Sequence, residues 1–526
     1  MKINIRALLI FAISLLWFSI LIPWNGFADP DVFYHAKISE LIWHGGPLQA
    51  FPWLDLTQFG RNFADLHLGF HLIAAPFVGV FGKFFGLRLI SVLLAAGFIT
   101  IFFLCLRWLK IQYALFWTSL LLLTQPLLVR ILLGKASPLA LIWYFFGLTA
   151  TWKRKPWLVA LIGFCFALSH GGWVFLAGSI VLLSLGNFLF DKISKNLPWR
   201  ECLKSIFWVE FLAAIVGALM AWIIHPNFPN TFLLGFTQIV SIGLKTPHNL
   251  LIGSEWLPAS VTGIIASFAP WIIACILGLT GLLLASKKAI DEKNMRLVAS
   301  FGFVLAAIFA LTLKSKRNVE YLAPVLAVWC AAVWSLVDIR AFYAIVIPME
   351  MGIQSRKGWI PVFTGMTKKK LAIFACIAFG VILLGRQITE TWTVFHPVTY
   401  PDDVYAETMS AISARALPGD RVFHSNWDEF PMLFAQDDRL RYVSGLDPTF
   451  LYAASSTLSD RVRDLTWPMT TSTAEEVWSL IHDDLKSRFV FISKKNHDKF
   501  LQLIRSDARY IPLADAKDSA AFMVQE

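Results

Sequence analysis

The sequence predicts a polytopic α-helical membrane protein, with about eleven transmembrane helices, that ends in a small α/β domain outside the membrane. Three observations carry this expectation. The 526 residues are 57% hydrophobic and only 15% charged, against roughly half and a quarter in soluble domains. Apolar runs of about 20 residues, the length that crosses a bilayer as a helix, recur as far as residue 388. Beyond it, helical patterns such as VYAETMSAISARAL and TAEEVWSLIHDDL alternate with short apolar strands such as RVFHS, RFVFIS and AAFMVQ, the pattern of a folded α/β unit. The formal charge of +11 sits in short Lys/Arg clusters between apolar runs, as in cytoplasmic loops. The partner it implies is the lipid bilayer, and nucleic acid is excluded.

The elements follow in order. Met1 to Trp24 has a short basic start and a long apolar run with no small-residue cleavage site, which reads as a retained first helix and not a signal peptide. Lys2 and Arg6 place its start in the cytoplasm. Residues 25–88 form a large first outer loop. Its stretch LHLGFHLIAAPFVGVFGKFFG is long enough to span, but its Gly, Pro and His suit an interfacial hairpin. Later spans are expected near 88–107, 111–130, 137–152, 156–170, 173–190, 206–224, 260–284, 297–313, 320–338 and 371–388. With the hairpin left out of the count, Lys153/Arg154/Lys155, Lys192/Lys195/Arg200 and Lys287/Lys288/Lys293/Arg296 all face the cytoplasm. Counting it would invert every one of these clusters, against the positive-inside bias.

An odd number of spans sends the tail outside. The division is therefore 1–388 for the membrane domain and 389–526 for a periplasmic or extracellular α/β domain, in the inner membrane of a bacterium. Residues 349–370 are expected as an inserted cytoplasmic loop, because SRKGWIPVFTGMT within it resembles the translated form of dispersed palindromic repeats of bacterial genes. Such a loop tolerates insertion, and no function is assigned to it. The six cysteines fall in apolar segments or cytoplasmic loops, so no disulfide framework is implied.

FADPDVFYHAKISELIWHGGP opens the first outer loop directly after the first helix. Asp29 and Asp31 therefore lie near the headgroup plane, beside aromatic residues and His35. A carboxylate pair there can hold a divalent cation or act as a base toward a lipid-borne substrate. The same spacing fits a helix N-cap at Asp31. On these residues, DPDVFYHAKISELIWHGGP resembles the first acidic motif of C-type integral-membrane glycosyltransferases, most closely the catalytic subunits of oligosaccharyltransferases. The resemblance implies that Asp31, with Asp29 second, binds a catalytic cation (magnesium or manganese) and the acceptor, and it places His35 at the acceptor as well.

Three further segments fit the same family. Glu255 in LLIGSEWLP resembles a Ser/Thr-x-x-Glu segment whose Glu contacts the acceptor, and reads equally as a solvated loop residue beside Trp256. Lys314, Lys316 and Arg317 in LKSKRNVEYLAP stand at the outer end of a helix, against the positive-inside bias. A lipid phosphate or pyrophosphate accounts for them, as does anionic-lipid anchoring. Arg317, Tyr321 and Pro324 resemble the family's Arg before Tyr and Pro. SNWDEFP stands where oligosaccharyltransferases carry Trp-Trp-Asp-Tyr-Gly, which implies acceptor contacts at Trp427 and Asp428. A helix start capped by Asn426 or Asp428 gives the same string.

The chain departs from the family in one place. A second acidic motif is expected in RILLGKASPLAL, where Lys135 and Ser137 stand instead of carboxylates. One carboxylate pair holds a hard cation less firmly than two, which leaves metal dependence open and makes Lys135 a candidate holder of the phosphate. His170 in LSHGGWVF, at another outer helix end, reads as a ligand, a base or a structural residue.

The activity implied by resemblance is inverting transfer of a sugar or oligosaccharide from a polyprenyl-phosphate or polyprenyl-pyrophosphate donor to a protein, lipid or polysaccharide acceptor at the outer face. A transporter or flippase of lipid-linked glycans is the alternative from another class. Carriers place ionisable residues deep in their spans, whereas here Glu210 alone clearly interrupts an apolar run. A non-catalytic relative in envelope glycan assembly is the third reading, and the missing second acidic motif favours it.

Overall fold

The computed structural model describes residues 4–245, 250, 252–284, 291–337, 368–396, 399–466 and 472–525. Among these, four helices are long and apolar enough to cross a membrane: Lys83–Trp108, Trp173–Ser194, Val261–Leu283 and Glu292–Lys314. The count reaches six if each of two bent pairs is one span. Shorter apolar helices, including Ile5–Leu21, Ser137–Trp152, Pro156–Ser169 and Val319–Trp334, complete a multi-pass membrane architecture.

Side-chain size sorts the faces of these helices. Trp208–Ile224 exposes Val209, Leu212, Val216, Met220 and Ile223, while Ala214, Gly217, Ala218 and Ala221 turn inward. An exposed aliphatic stripe of this length suits lipid and not water. Inward small residues let backbones approach, which is how helices pack where hydrocarbon surrounds them. A Cβ on Gly217 would lie 2.0 Å from the Ala160 carbonyl oxygen, and one on Gly163 would lie 2.6 Å from that of Ala214.

Several expected boundaries move. The first helix ends at Leu21, and the span expected from residue 88 begins at Lys83. The expected hairpin is one helix, Leu68–Phe81, joined through Gly82 to the next. The straight span expected over 111–130 is instead Ala114–Leu121 and Gln125–Ile131, bent by 71°. Pro126, in the first turn of the second piece, has no N–H to continue the preceding helix. Hydropathy registers apolar length but not direction, which is why such breaks escape it. The repeat-like insertion lies outside the described residues.

The tail carries a five-stranded sheet in the order β4 (Arg441–Tyr442), β3 (Arg421–His424), β5 (Phe489–Ser493), β7 (Ser519–Val524), β6 (Tyr510–Asp515). β3 runs parallel to β4 and β5, whereas β5, β7 and β6 are antiparallel. Alternate residues of a strand face opposite sides, and the two sides find different partners. Val490 and Ile492 pack with Leu480, Ile481, Phe500 and Ile504 of the tail's own helices. Phe489 and Phe491 join a core containing Phe430 and Phe434 together with Phe51, Phe59 and Phe63 of the loop 25–88. That loop therefore supplies part of the tail's core.

Polar contacts tie the same junction. Asp55 of the loop pairs with Arg421 (2.8 Å) and Arg441 (3.1 Å). A two-stranded ladder joins β1 (Gly26–Phe27) to β2 (Tyr400–Pro401). Buried Arg88 secures it by donating to the Gly26 carbonyl, pairing with Asp402 and lying over the Phe27 ring. Asp29 follows β1 by two residues, so this ladder fixes where the acidic motif begins. Arg88→Ala should cost about 2–3 kcal/mol, less than for a wholly buried pair because Asp402 is partly exposed. Amide hydrogen exchange should accelerate at Gly26, Phe27 and Tyr400 while β5 and β7 keep their protection.

Candidate active site

Helix Asp31–Gly45 begins after Pro30, and the Asp29 carboxylate accepts a 3.0 Å hydrogen bond from the Asp31 backbone N–H. Asp29 thus serves the helix start, and the Asp31 side chain is released from the capping role its position suggested. It points to Lys135. The Lys135 ammonium bridges the two carboxylates, 2.9 Å from Asp29 Oδ2 and 2.8 Å from Asp31 Oδ2. Gly134 makes this reach available. Its φ of +77° is a left-handed conformation, and a Cβ there would lie 2.9 Å from the Val32 side chain.

A second charged group stands beside the first. Glu255 accepts from Arg130 Nη1 at 2.6 Å and lies 3.4 Å from Arg317 Nη1, and Arg130 Nε donates to buried Glu320 at 3.1 Å. The Arg317 guanidinium lies 4.8 Å over the Trp256 ring. Buried charges are stable only when paired, and each carboxylate here has a cation. Burial raises the Asp29 carboxyl to about 6, with Lys135 opposing the rise. Burial also acts to raise Glu255, but Arg130, Lys135 and Arg317 outweigh it and hold the group well below the usual carboxylate range.

These groups border two spaces. A polar cavity of about 120 Å³ is lined by Asp31, His35, Lys135, Glu255, Arg317 and Asp447, among others. A groove of about 270 Å³ runs along Phe175, Leu182, Ala307, Ile308, Leu311 and Tyr321. His170, Gln238, Trp256 and Arg317 line both. Gln238 Oε1 and the Tyr321 hydroxyl are buried with no hydrogen-bond partner among the described residues.

The expected site residues divide accordingly. Asp29, Asp31, His35, Lys135, Glu255 and Arg317 come together, with Tyr321 in the adjoining groove. Lys316 is exposed and lines neither space, while Lys314 borders the groove. Trp427 and Asp428 open onto different cavities, Trp427 onto one of about 50 Å³ and Asp428 onto one of about 590 Å³ shared with Tyr400, Tyr405, Lys495 and Lys499. The local string is a helix start, as its alternative reading expected: Asn426 and Glu429 form a capping box. His170 Nδ1 accepts from the Gly172 N–H at 2.8 Å, leaving only Nε2 for the cavity.

Arg130, Glu320, Gln238 and Asp447 are functional candidates that sequence reasoning missed. Glu210 is thus not alone in interrupting an apolar run: Arg130 and Glu320 do so as well, and all three are buried. Asp447 caps the helix Pro448–Ala454 by accepting from Thr449 N–H at 2.8 Å, and burial lifts its carboxyl to about 6. The residues do not fit the divalent cation implied for Asp29 and Asp31. The Lys135 ammonium stands between the two carboxylates, and among the described residues no three His, Cys, Asp or Glu side chains converge as a ligand set.

No family model and no curated protein matches the chain. Solved structures do. The oligosaccharyltransferase AglB from Archaeoglobus fulgidus, in complex with an inhibitory peptide and a dolichol-phosphate, is 14% identical with a TM-score of 0.59, over 96% of this chain and 72% of that one. ArnT from Cupriavidus metallidurans is 14% identical with a TM-score of 0.54, over 98% and 97%. The mycobacterial arabinofuranosyltransferase AftD is 12% identical with a TM-score of 0.58, over 100% of this chain and 40% of that one. The chain has the fold of the C-type integral-membrane glycosyltransferases. At these identities the likeness is one of fold. Within the C-type fold, this chain's own side chains must carry any statement of chemistry.

Glu429 provides a test of the tail's own packing. Burial raises its carboxyl to about 8, partly offset by the Ser425 hydroxyl. A carboxyl whose folded value lies above its unfolded value near 4.5 binds more protons when folded. Stability is therefore full below that pH and falls as pH rises through about 8. Unfolding of the detergent-solubilised chain should show this slope, and Glu429→Gln should flatten it.

Proposed function

We propose that this protein transfers a sugar or oligosaccharide from a polyprenyl-phosphate or polyprenyl-pyrophosphate donor to an acceptor at the outer face of a bacterial inner membrane. In this reading the chain crosses the bilayer about eleven times, with its N-terminus inside and the tail domain outside. One observation carries the proposal: an apolar groove and a charged cavity meet at Arg317. A polyprenyl-linked sugar has the same two-part character. Its hydrocarbon matches Phe175, Leu182, Ile308 and Leu311, and its phosphate matches the guanidinium where the groove ends.

The roles follow from position. Arg317 steadies the leaving phosphate, and Lys135 supplies positive charge beside it, as a cation does in a metal-assisted site. Asp31, held by Lys135, orients the acceptor nucleophile, and Glu255 holds both arginines in place. Electron-pair donation from the acceptor to the anomeric carbon, with departure of the phosphate, completes an inverting displacement. The dolichol-phosphate and inhibitory peptide bound to AglB are consistent with a lipid-linked donor and an outer-face acceptor. The acceptor here is a protein, lipid or polysaccharide.

The deciding experiment is mass spectrometry of polyprenyl-linked sugars from cells lacking the gene, complemented with wild type or Asp31→Asn. A lipid-linked sugar should accumulate in the null and in Asp31→Asn but not in wild type. Equal profiles from both complemented strains would assign the acidic motif a structural role and bring the transporter and accessory readings forward. In isolated membranes, chelation of divalent cations should leave wild-type turnover within about twofold, while Lys135→Ala should lower it at least about 100-fold.

A further inference from the structure

A chain of buried polar side chains leads from the first outer loop to the cavity. The Asp65 carboxylate lies 2.7 Å from His71 Nδ1, and His71 Nε2 lies 2.8 Å from His35 Nδ1. Asp65, His71 and His35 are all buried, and His35 lines the polar cavity. His35 stands one helical turn from Asp31 on the same face of the helix Asp31–Gly45.

Proton positions along this chain are dictated by its far end. Asp65 is pinned: its backbone N–H donates to Asn227 Oδ1, its carbonyl accepts from His225 Nε2, and Oδ1 accepts from the His67 N–H. Burial acts to raise its carboxyl, but His71 and His67 outweigh that and lower it, so Asp65 is ionised and only accepts. With one ring proton, His71 carries it on Nδ1, against the Asp65 carboxylate, and presents a lone pair at Nε2. His35 must in turn donate from Nδ1, which leaves its Nε2 unprotonated. Among the described residues no side chain is hydrogen-bonded to that nitrogen. His170 is set in the opposite sense, because the Gly172 N–H occupies its Nδ1 and leaves Nε2 protonated.

We propose that Asp65, His71 and His35 form a relay that fixes His35 Nε2 as the proton acceptor of the polar cavity, taking the proton from the acceptor nucleophile during glycosyl transfer. This rests on the transferase reading. As the nucleophile's electron pair forms the new bond to the anomeric carbon, its proton passes to His35 Nε2, and the electron pair of the breaking carbon–oxygen bond leaves with the phosphate. The resulting imidazolium is stabilised through His71 by the Asp65 charge. The Asp31 carboxylate, already paired with Lys135, is left to orient the acceptor. Burial, with the Lys135 ammonium nearby, keeps His35 neutral before the reaction.

The test uses the full chain in lipid nanodiscs with ¹⁵N-labelled histidine, and lipid-linked sugars extracted from cells lacking the gene as the donor probe. In wild type, the His35 imidazole should be protonated at Nδ1 only, and His170 at Nε2 only. Asp65→Asn keeps size but lets an amide donate to His71 Nδ1. Both imidazoles of the relay then reverse, and His35 Nε2 gains the proton. That variant should keep its KM and lose about 10²–10⁴-fold in kcat, as a triad does when its tautomer is wrong. A wild-type His35 already protonated at Nε2 would overturn the relay whatever the activity. Reversal of the tautomer with unchanged kcat would overturn its role as the base. A wild type that consumes no lipid-linked sugar would sink the transferase reading and this role with it, while the spectra still decide the proton positions.

Discussion

The arrangement of the site depends on one constraint: carboxylates wholly or largely withdrawn from solvent must each meet a cation. Lys135 satisfies Asp29 and Asp31 together, and Arg130 satisfies Glu255 and Glu320. Removing Lys135 or Arg130 leaves carboxylates without their cation, at a cost that exceeds what a well-formed pair contributes. The charges therefore hold one another in register. Arg317 is the member least consumed by this pairing, since its contact with Glu255 is long and its other face lies on Trp256. Its remaining donors are left for a ligand.

Assembly of that register requires segments far apart in sequence. Asp29 is set by the β1–β2 ladder, Lys135 by the left-handed Gly134, Glu255 by its arginines, and the cavity wall by Asp447 of the tail. The first outer loop connects them. Its helix carries Asp31 and His35, and its aromatic residues fill one face of the tail's sheet. The tail is thus docked by a shared hydrophobic core, with ion pairs at Asp55 around it, and the loop and the tail domain are positioned by the same contacts. A site divided between loop and domain gains precision from this burial that a loop alone would lack.

Lys135 also accounts for the departure from the family's acidic pattern. A divalent cation between carboxylates neutralises them and offers positive charge to a phosphate. An ammonium at 2.8–2.9 Å from both aspartates does the first of these directly, and it is covalently retained.

Much of this was legible in the chain. Apolar length and the positive-inside bias indicated the membrane domain, helical patterns alternating with short apolar strands indicated the tail's mixed fold, charges at helix ends indicated Asp29, Asp31 and Arg317, and the family resemblance pointed to Glu255 and Lys135. These signals are local: each depends on a residue's own neighbours and on which side of a bilayer they fall. What escaped was pairing. Nothing near Arg130 in sequence names Glu255 or Glu320, nothing near His35 names His71 and Asp65, and Trp427 and Asp428 are adjacent yet face different cavities. By itself the sequence determined where apolar surface must be buried and where charge meets the membrane boundary, because hydrophobicity and charge belong to single residues. Only the tertiary structure decided which charges neutralise one another, which histidines stand within hydrogen-bond distance of one another and which side chains share a cavity, because those depend on distances between segments that the chain does not order.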